Sequence, residues 1–223
     1  MTSALETANS RVVPLSRTAR TMVRHMNEAW QAPMFAVTVE VDMSAAVSGR
    51  KEGITVTDMI LAATVSSLAA HPQLNAHFRE DAIVEHEDIN IGLAVSSENG
   101  LSVPVIHGAQ ALTIDQIAER RRQIVQKART GQLRVTDMVG GTFTISNLGM
   151  FDVARFTAIL NPPQVAILAI GSASKRFVWN NGEPQWRDVA EFSLTCDHRA
   201  TDGATAAQFL ATLKEKLGKH ANG

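Results

Sequence analysis

The stretch NNGEP, residues 180–184, lies between two segments rich in β-forming residues, PPQVAILAIGSASKRFVW before it and WRDVAEFSLTC after it. An Asn-Gly step between such segments is typical of a tight β-hairpin. The first segment contains Gly171, where we expect the strand to break. The order of the remaining patterns is mixed and shows no regular βαβ alternation. We therefore predict an α+β fold, with a largely antiparallel mixed sheet and helices packed on it.

Apolar residues at helical spacing predict four helices along the chain. Pro33 and Pro72 follow the first two, and Thr57 or Asp58 is the expected N-cap of the second. Thr113, with Gln116 three positions later, resembles a capping box for the third. The expected helical segments are residues 13–30, 58–71, 114–128 and 202–220, and the segment MFAVTVEVDM after Pro33 alternates as a strand does.

The bulk properties are those of an ordinary globular chain. Of the 223 residues, 45% are hydrophobic and 19% are charged, which suits one domain over residues 11–223 behind a flexible arm at residues 1–10. The net charge of −1 gives no long-range attraction to nucleic acid or to an anionic membrane. No apolar run approaches the length of a membrane span. Cys196 is the single cysteine, which fits a reducing compartment, and we expect the cytoplasm.

His198 stands where the apolar strand EFSLTC ends and the last helix begins. Elements on both sides would hold it rigidly, and an imidazole accepts a proton near neutral pH. Position alone favours a residue that merely faces water. Asp202 is either a second member of a site or the N-cap of the helix with Gly203 at its first position, and for a lone aspartate the cap is favoured.

The segment GGTFTISNLGM places Thr142, Thr144 and Ser146 on one face of a strand, and Phe143 and Ile145 on the other. Alternating hydroxyl groups on a strand are usually solvated, and we expect that here. The functional alternative is that Ser146, at the end of the strand, donates a hydrogen bond to a developing oxyanion.

Several other kinds of site are excluded or disfavoured. The chain has no G-x-S-x-G elbow and no glycine-rich phosphate loop. Its other histidines lack metal-ligand spacing, so we expect no metal. A nucleophilic pair of Cys196 and His198 is conceivable, but Cys196 continues an apolar strand and we expect it to pack as a small hydrophobic residue. The run Arg120–Arg122 is expected to form the solvent-facing side of a helix.

The segment DHRATDGA resembles the H-x-x-x-D-G signature of the dihydrolipoamide acyltransferases (E2), the acyltransferase components of 2-oxo acid dehydrogenase complexes. Further blocks resemble this family in the same order, namely VPLSRTARTMVRHM, INIGLAVSSENGLSVPVI, GGTFTISNLGMF and ILNPPQVAILAIG. The resemblance extends from Arg11 to Leu217. The segment TFTISNLGMF is most similar to that of the pyruvate dehydrogenase members, which transfer acetyl groups.

The resemblance implies a chloramphenicol-acetyltransferase-like fold that assembles as a homotrimer, with active sites between neighbouring subunits. It implies His198 as the general base toward the attacking thiol, and Ser146 of the adjacent subunit as the oxyanion donor. It implies that Asp202 holds the loop and pairs with a buried arginine. The residues that it implies along the path of coenzyme A are Arg11, Ser96, Gln126, Asn147 and Gly171.

Two departures from the family pattern leave alternatives open. No lipoyl or subunit-binding domain precedes Arg11, so we expect either an excised core or a free-standing enzyme, with the lipoyl group on another domain or protein. The end KLGKHANG lacks an apolar anchor, so we expect a trimer that does not assemble into a larger cage. The implied partners are a lipoyl domain and the E1 and E3 enzymes of a 2-oxo acid dehydrogenase complex. The alternatives are a trimeric scaffold without catalysis and a coenzyme A-dependent acyltransferase with a non-lipoyl acceptor.

Overall fold

The strands form one seven-stranded sheet and two sheets of two strands in a computed structural model that describes residues 10–97, 100–180 and 182–219. The strands are β1 (Met34–Asp42), β2 (Ala76–Arg79), β3 (Ala82–Glu85), β4 (Ile91–Leu93), β5 (Val95–Ser97), β6 (Gly100–Ser102), β7 (Val105–Ile106), β8 (Phe143–Asn147), β9 (Ala166–Ile170), β10 (Ser174–Asn180) and β11 (Glu183–Asp197). The helices are α1 (Arg17–Ala29), α2 (Ser44–Ser48), α3 (Val56–Ala70), α4 (Ile114–Arg129) and α5 (Gly203–Lys219).

The main sheet has the strand order β1-β11-β9-β8-β4-β7, and β10 pairs with the first part of β11. The pairs β4–β8 and β8–β9 are parallel, and the other pairs are antiparallel. The prediction of an α+β fold with a mixed sheet is therefore confirmed. The hairpin predicted at NNGEP pairs Asn180 with Glu183, and the expected break near Gly171 separates β9 from β10.

One face of the main sheet is apolar and lies under helices. Phe192, Leu194 and Cys196 alternate on this face of β11 and are fully buried. Helix α5 packs against β1 and β11 and also against α3. The rings of Phe143 on β8 and Phe209 on α5 lie 5.8 Å apart between their centroids. Burial of such side chains contributes about 1.5–3 kcal/mol each, so this layer supplies much of the stability.

The opposite face of the sheet carries hydroxyl groups, and the prediction that they are solvated is wrong for Thr142 and Thr144. Both residues are buried. The Thr142 hydroxyl donates to Asn75 Oδ1 at 2.6 Å, and the Thr144 hydroxyl donates to Gln164 Oε1 at 2.6 Å. The chain between β8 and β9 covers this face and supplies Gln164, so the hydroxyl groups pair with amide side chains in place of water.

The predicted helices are present, with corrected boundaries at two of them. Helix α1 begins at Arg17 and not near residue 13, because the Ser16 hydroxyl accepts a hydrogen bond from Ala19 N at 3.1 Å and caps it. The N-cap of α3 is Thr55, and not Thr57 or Asp58. The capping box of Thr113 and Gln116 at the start of α4 is confirmed.

Asp58 closes the capping box of α3 and is also the buried partner of Arg121 on α4. Its side chain is fully buried, and it accepts hydrogen bonds from Thr55 N at 2.8 Å and from Arg121 Nη2 at 3.1 Å. Burial by itself would raise the pKa of this carboxyl group, but the hydrogen bonds from Arg121 and Thr55 outweigh it and hold the pKa below its usual value. The expectation that Arg120–Arg122 all face solvent is therefore wrong for Arg121.

Some expectations concern residues that the structure does not describe. The flexible arm predicted at residues 1–10 falls, apart from Ser10, outside the described residues, and so does the end of the chain after Lys219. Within the described part of the chain, no helix is long and apolar enough to cross a membrane. In the same part, no group of three or more His, Cys, Asp or Glu side chains is arranged to hold a metal ion.

We predict that Asp58→Asn lowers the free energy of unfolding at pH 7 by about 3 kcal/mol, because it removes one partner of a buried ion pair. A carboxylate with a lowered pKa contributes stability above its unfolded pKa of about 4 and loses it as the pH falls through the folded value. The difference between wild type and variant should therefore shrink below about pH 4. Urea unfolding between pH 7 and pH 3 measures both effects, and equal midpoints at pH 7 would contradict the prediction.

Candidate active site

His198 is the first residue after β11, and it contacts residues at the start of the edge strand β1. Its backbone N–H donates to Pro33 O at 3.0 Å, and its ring lies 4.6 Å from the Phe35 ring between centroids. The pairing of Met34 with Asp197 places these groups next to each other. The His198 side chain is exposed in the single chain. The imidazole therefore contacts Phe35 on one side and is accessible to another molecule on the other.

Asp202 is the N-cap of α5, as its sequence position predicts. Its Oδ1 accepts a hydrogen bond from Thr205 N at 2.8 Å, and the helix begins at Gly203. Hydrogen bonds from the Thr205 backbone and side chain, together with the nearby His198, lower the pKa of this carboxyl group. The side chain is exposed. Its hydrogen bonds lead to the start of α5, and among the described residues it forms no ion pair with an arginine, so the expected pairing is not observed within one chain.

Beside His198, the acid that pairs with an arginine is Asp197, which directly precedes the histidine in the chain. Its side chain is 4% exposed, and it accepts hydrogen bonds from Arg199 Nε at 2.9 Å and from Arg199 Nη2 at 2.6 Å. The guanidinium group of Arg199 also stacks 4.1 Å above the Phe78 ring on β2. Sequence reasoning missed this pair, although a charged residue at the end of an apolar strand is a signal that could have indicated it.

Ser146 lies on β8 and does not approach His198 within one chain. Ser146 pairs with Ala169 on β9, which pairs in turn with Ser193 on β11. His198 lies five positions beyond Ser193. At about 3.4 Å per residue this is about 17 Å along the sheet, with two strand spacings of about 4.8 Å across it. A site that contains both side chains therefore requires a second copy of the chain.

The residues expected along the path of coenzyme A fall into two pairs and a single residue. Ser96 on β5 and Gln126 on α4 are exposed, and their elements pack together. Asn147 ends β8 beside Ile170, next to Gly171, and its Nδ2 donates to Thr57 on α3 at 3.3 Å. Arg11 is exposed in the segment before α1.

Gly171 has a packing role that the sequence did not indicate. The residue is buried, and an ideal Cβ placed on it would lie 2.0 Å from the carbonyl oxygen of Ala154. Ser172 N donates to Val153 O at 2.8 Å in the same contact. Glycine at this position therefore allows the chain that follows β8 to lie directly on the end of β9.

Cys196 packs in the core, as predicted. Its side chain is fully buried on the apolar face of β11. Burial, with a smaller effect of the Asp197 charge, raises the pKa of this thiol to about 12. A thiol with so high a pKa does not form the thiolate that nucleophilic catalysis needs at neutral pH. The conceivable pair of Cys196 and His198 is therefore not a nucleophilic site.

A known family of acyltransferases matches nearly the whole chain. The sequence profile described as "2-oxoacid dehydrogenases acyltransferase (catalytic domain)" matches residues 7–222. The dihydrolipoyllysine-residue acetyltransferase component of the pyruvate dehydrogenase complex of Rickettsia felis is 32% identical over 92% of this chain. The match covers 53% of that relative, so the chain spans about half of its length.

Solved structures agree with this match. A probable dihydrolipoamide acetyltransferase from Listeria monocytogenes is 33% identical, with a TM-score of 0.93 and 97% of each chain covered. The dihydrolipoamide acetyltransferase of Azotobacter vinelandii is 30% identical, with a TM-score of 0.87 over 96% of this chain and 92% of that one. Chloramphenicol acetyltransferase, at 18% identity and a TM-score of 0.56 over 87% of this chain and 94% of that one, shares the fold. The predicted fold class is confirmed.

In the Azotobacter enzyme, a serine, a histidine and an asparagine have been investigated for roles in the catalytic mechanism. The serine and the histidine are separated by the same number of positions as Ser146 and His198. The histidine and the asparagine are separated by the same number as His198 and Asp202. At the separation from the histidine where that enzyme has an asparagine, this chain has the aspartate Asp202.

We predict that Gly171→Ala lowers the free energy of unfolding by about 1–3 kcal/mol. The added methyl group would clash with the backbone carbonyl of Ala154, which can move only by distorting the chain. Gly218→Ala is the matched control, since a Cβ on Gly218 in α5 meets nothing within 4 Å. That change should stabilise the helix by up to about 1 kcal/mol. Thermal unfolding of the two variants measures the contrast. Unchanged stability of Gly171→Ala with a weakened affinity for coenzyme A would instead favour a purely ligand-lining role.

Proposed function

The chain belongs to the 2-oxoacid dehydrogenase acyltransferase family, and we propose that it transfers an acetyl or other short acyl group between a dihydrolipoyl thiol and coenzyme A. The observation that carries the proposal is the anchored, exposed His198 in an H-x-x-x-D-G segment. The separations to Ser146 and Asp202 match those of the residues investigated in the Azotobacter acetyltransferase, which supports the same assignment.

The proposed reaction begins with His198 as the general base. Its imidazole takes the proton of the attacking thiol, and the thiolate sulfur adds to the carbonyl carbon of the acyl thioester. The Ser146 hydroxyl of a neighbouring copy donates a hydrogen bond to the oxyanion that forms. The intermediate collapses, the bond from the carbonyl carbon to the original sulfur breaks, and His198 returns the proton to that leaving thiolate. Either thiol can attack, so the same groups serve both directions.

Assembly into a homotrimer is part of the proposal, because the reaction needs Ser146 and His198 from different copies. Exposed apolar side chains at both ends of the sheet support it. Met150 and Phe151 follow Ser146 in the chain and are 68% and 64% exposed. Trp30, near the His198 end, is 72% exposed. When one end of a molecule binds the other end of its neighbour and the rotation between copies closes, the contacts form a ring, and a ring of three would cover both patches.

The proposed partners follow from the reaction. The lipoyl group is carried on another domain or protein, and the E1 and E3 enzymes of a 2-oxo acid dehydrogenase complex would load and reoxidise it. We keep the cytoplasm as the proposed compartment, since the single buried cysteine fits a reducing environment. A non-catalytic scaffold and an acyltransferase with a non-lipoyl acceptor are distinguished from the leading proposal by the assay below.

We predict that the protein acetylates free dihydrolipoamide from acetyl-coenzyme A, and that His198→Ala lowers kcat by about 10²–10⁴-fold through loss of the base. Ser146→Ala should lower kcat by about 10²–10³-fold, because one oxyanion donor is lost. Steady-state kinetics of both variants measure these effects. Absence of turnover in the wild type would contradict the proposed function, and full turnover in His198→Ala would contradict the mechanism.

We further predict that mixed assemblies of the two inactive variants recover activity. In a trimer of His198→Ala and Ser146→Ala subunits, some sites combine the intact His198 of one copy with the intact Ser146 of its neighbour. Every ring of three that contains both variants has one such site among its three, so about a third of the wild-type activity should return in the mixed species. Co-expression with two affinity tags isolates the mixed species. No recovery above either variant alone would place both residues in one chain's site.

A further inference from the structure

The residues on both sides of His198 are bonded to each other. Asp197 accepts hydrogen bonds from the Arg199 side chain through both carboxylate oxygens, and its Oδ1 also accepts from Arg199 N at 3.0 Å. The bond from the backbone N–H closes a tight turn whose middle residue is His198. The side-chain bonds close a second, wider ring around the same residue. The backbone of His198 is therefore constrained by its two chain neighbours, independently of any hydrogen bond to its own ring.

The pair is itself fixed to the rest of the fold. The Asp197 carboxylate is almost completely buried, and an unpaired charge there would be strongly unfavourable. The Arg199 guanidinium group stacks on Phe78, and Phe78 N donates to Pro163 O at 2.8 Å. The turn is thus tied to β2 and to the chain that leads into β9. Movement of Arg199 would have to break a planar, two-point contact with the carboxylate.

We propose that Asp197 and Arg199 are positioning residues, which hold the His198 imidazole in the orientation that proton transfer from the thiol requires. The inference rests on the proposed function and adds to it residues that neither the H-x-x-x-D-G pattern nor the comparisons assign. Asp202 sets the start of α5 after the turn, whereas Asp197 and Arg199 set the turn itself. A displacement of about 1 Å at a reacting group can cost about 10²-fold in rate, so loss of this brace should appear in the chemical step.

A cavity of about 290 Å³ adjoins the pair, and Phe78, Pro163 and Arg199 are among the residues that line it. The Arg199 side chain is 41% exposed. Truncation of Arg199 would therefore leave an opening that a small cation can enter from solvent. This makes chemical rescue by free guanidinium a direct probe of the role of the side chain.

The experiment compares Arg199→Ala with Arg121→Ala in the assembled protein. The control removes an arginine that pairs with another buried carboxylate, Asp58, at a position away from His198. Each variant is assayed at a temperature at which circular dichroism shows it folded. We expect Arg199→Ala to lower kcat by about 10–100-fold with KM changed by less than about 2-fold. We expect Arg121→Ala to lose stability while its kcat in the folded state stays within about 2-fold of wild type.

Two further measurements sharpen the comparison. Arg199→Lys keeps the charge but not the planar, two-point contact, so it should recover only part of kcat. About 50 mM guanidinium chloride, far below denaturing concentrations, should raise kcat of Arg199→Ala several-fold and leave that of Arg121→Ala unchanged. A kcat of Arg199→Ala equal to that of wild type, a loss confined to KM, or an equal loss in the control would each overturn the proposal.

A readout without turnover separates this inference from the proposed function. If the wild type transfers no acyl group, the proposed function fails, and the position of the His198 ring can still be followed by NMR. The Cε1–H resonance of His198, assigned with His198→Gln, should shift or broaden in Arg199→Ala and stay unchanged in Arg121→Ala. An unchanged resonance in Arg199→Ala would show that the pair does not position the ring.

Discussion

Strand β11 pairs with three neighbours along its fifteen residues, and the rest of the structure depends on these pairings. β10 pairs with its first part, β1 with its second part and β9 with its last residues. Its buried side chains Phe192, Leu194 and Cys196 lie on the face that α5 covers. A slip of one position would turn these side chains away from α5 and put the hydroxyl groups of Ser193 and Thr195 in their place, so the register is strongly determined. Because β11 ends at Asp197, the same register fixes where His198 leaves the sheet.

This register also explains why a single chain does not complete the proposed site. Ser146 is tied by β9 to the middle of β11, whereas His198 lies past its end. The sheet is too rigid for one side chain to cross this separation. The requirement for a second copy therefore follows from the hydrogen-bonded strand pairing. The exposed apolar side chains lie at the two ends of the sheet, where contact with a second copy would bury them.

Local patterns in the sequence were sufficient for much of the fold. The capping box of Thr113 and Gln116, the hairpin at NNGEP and the break near Gly171 each depend on residues close together in the chain, and all are present. Features that depend on distant partners were missed. Thr142 is buried and bonded to Asn75, and the partly buried Arg121 is bonded to Asp58, 63 positions away. The separation of Ser146 from His198 required the strand order, which no local pattern contains.

The two acids near His198, Asp197 and Asp202, have different partners. Asp202 is exposed and caps α5, a role that asparagine fills equally well. The Azotobacter enzyme has asparagine at the matching separation from its histidine, and asparagine and aspartate are both favoured N-cap residues. Asp197 is buried and paired with Arg199, so its charge is neutralised beside the imidazole. In a Ser-His-Asp triad an acid orients the histidine through a hydrogen bond to its ring. Here the orientation of the ring follows from the backbone turn that Asp197 closes and from the contact with Phe35.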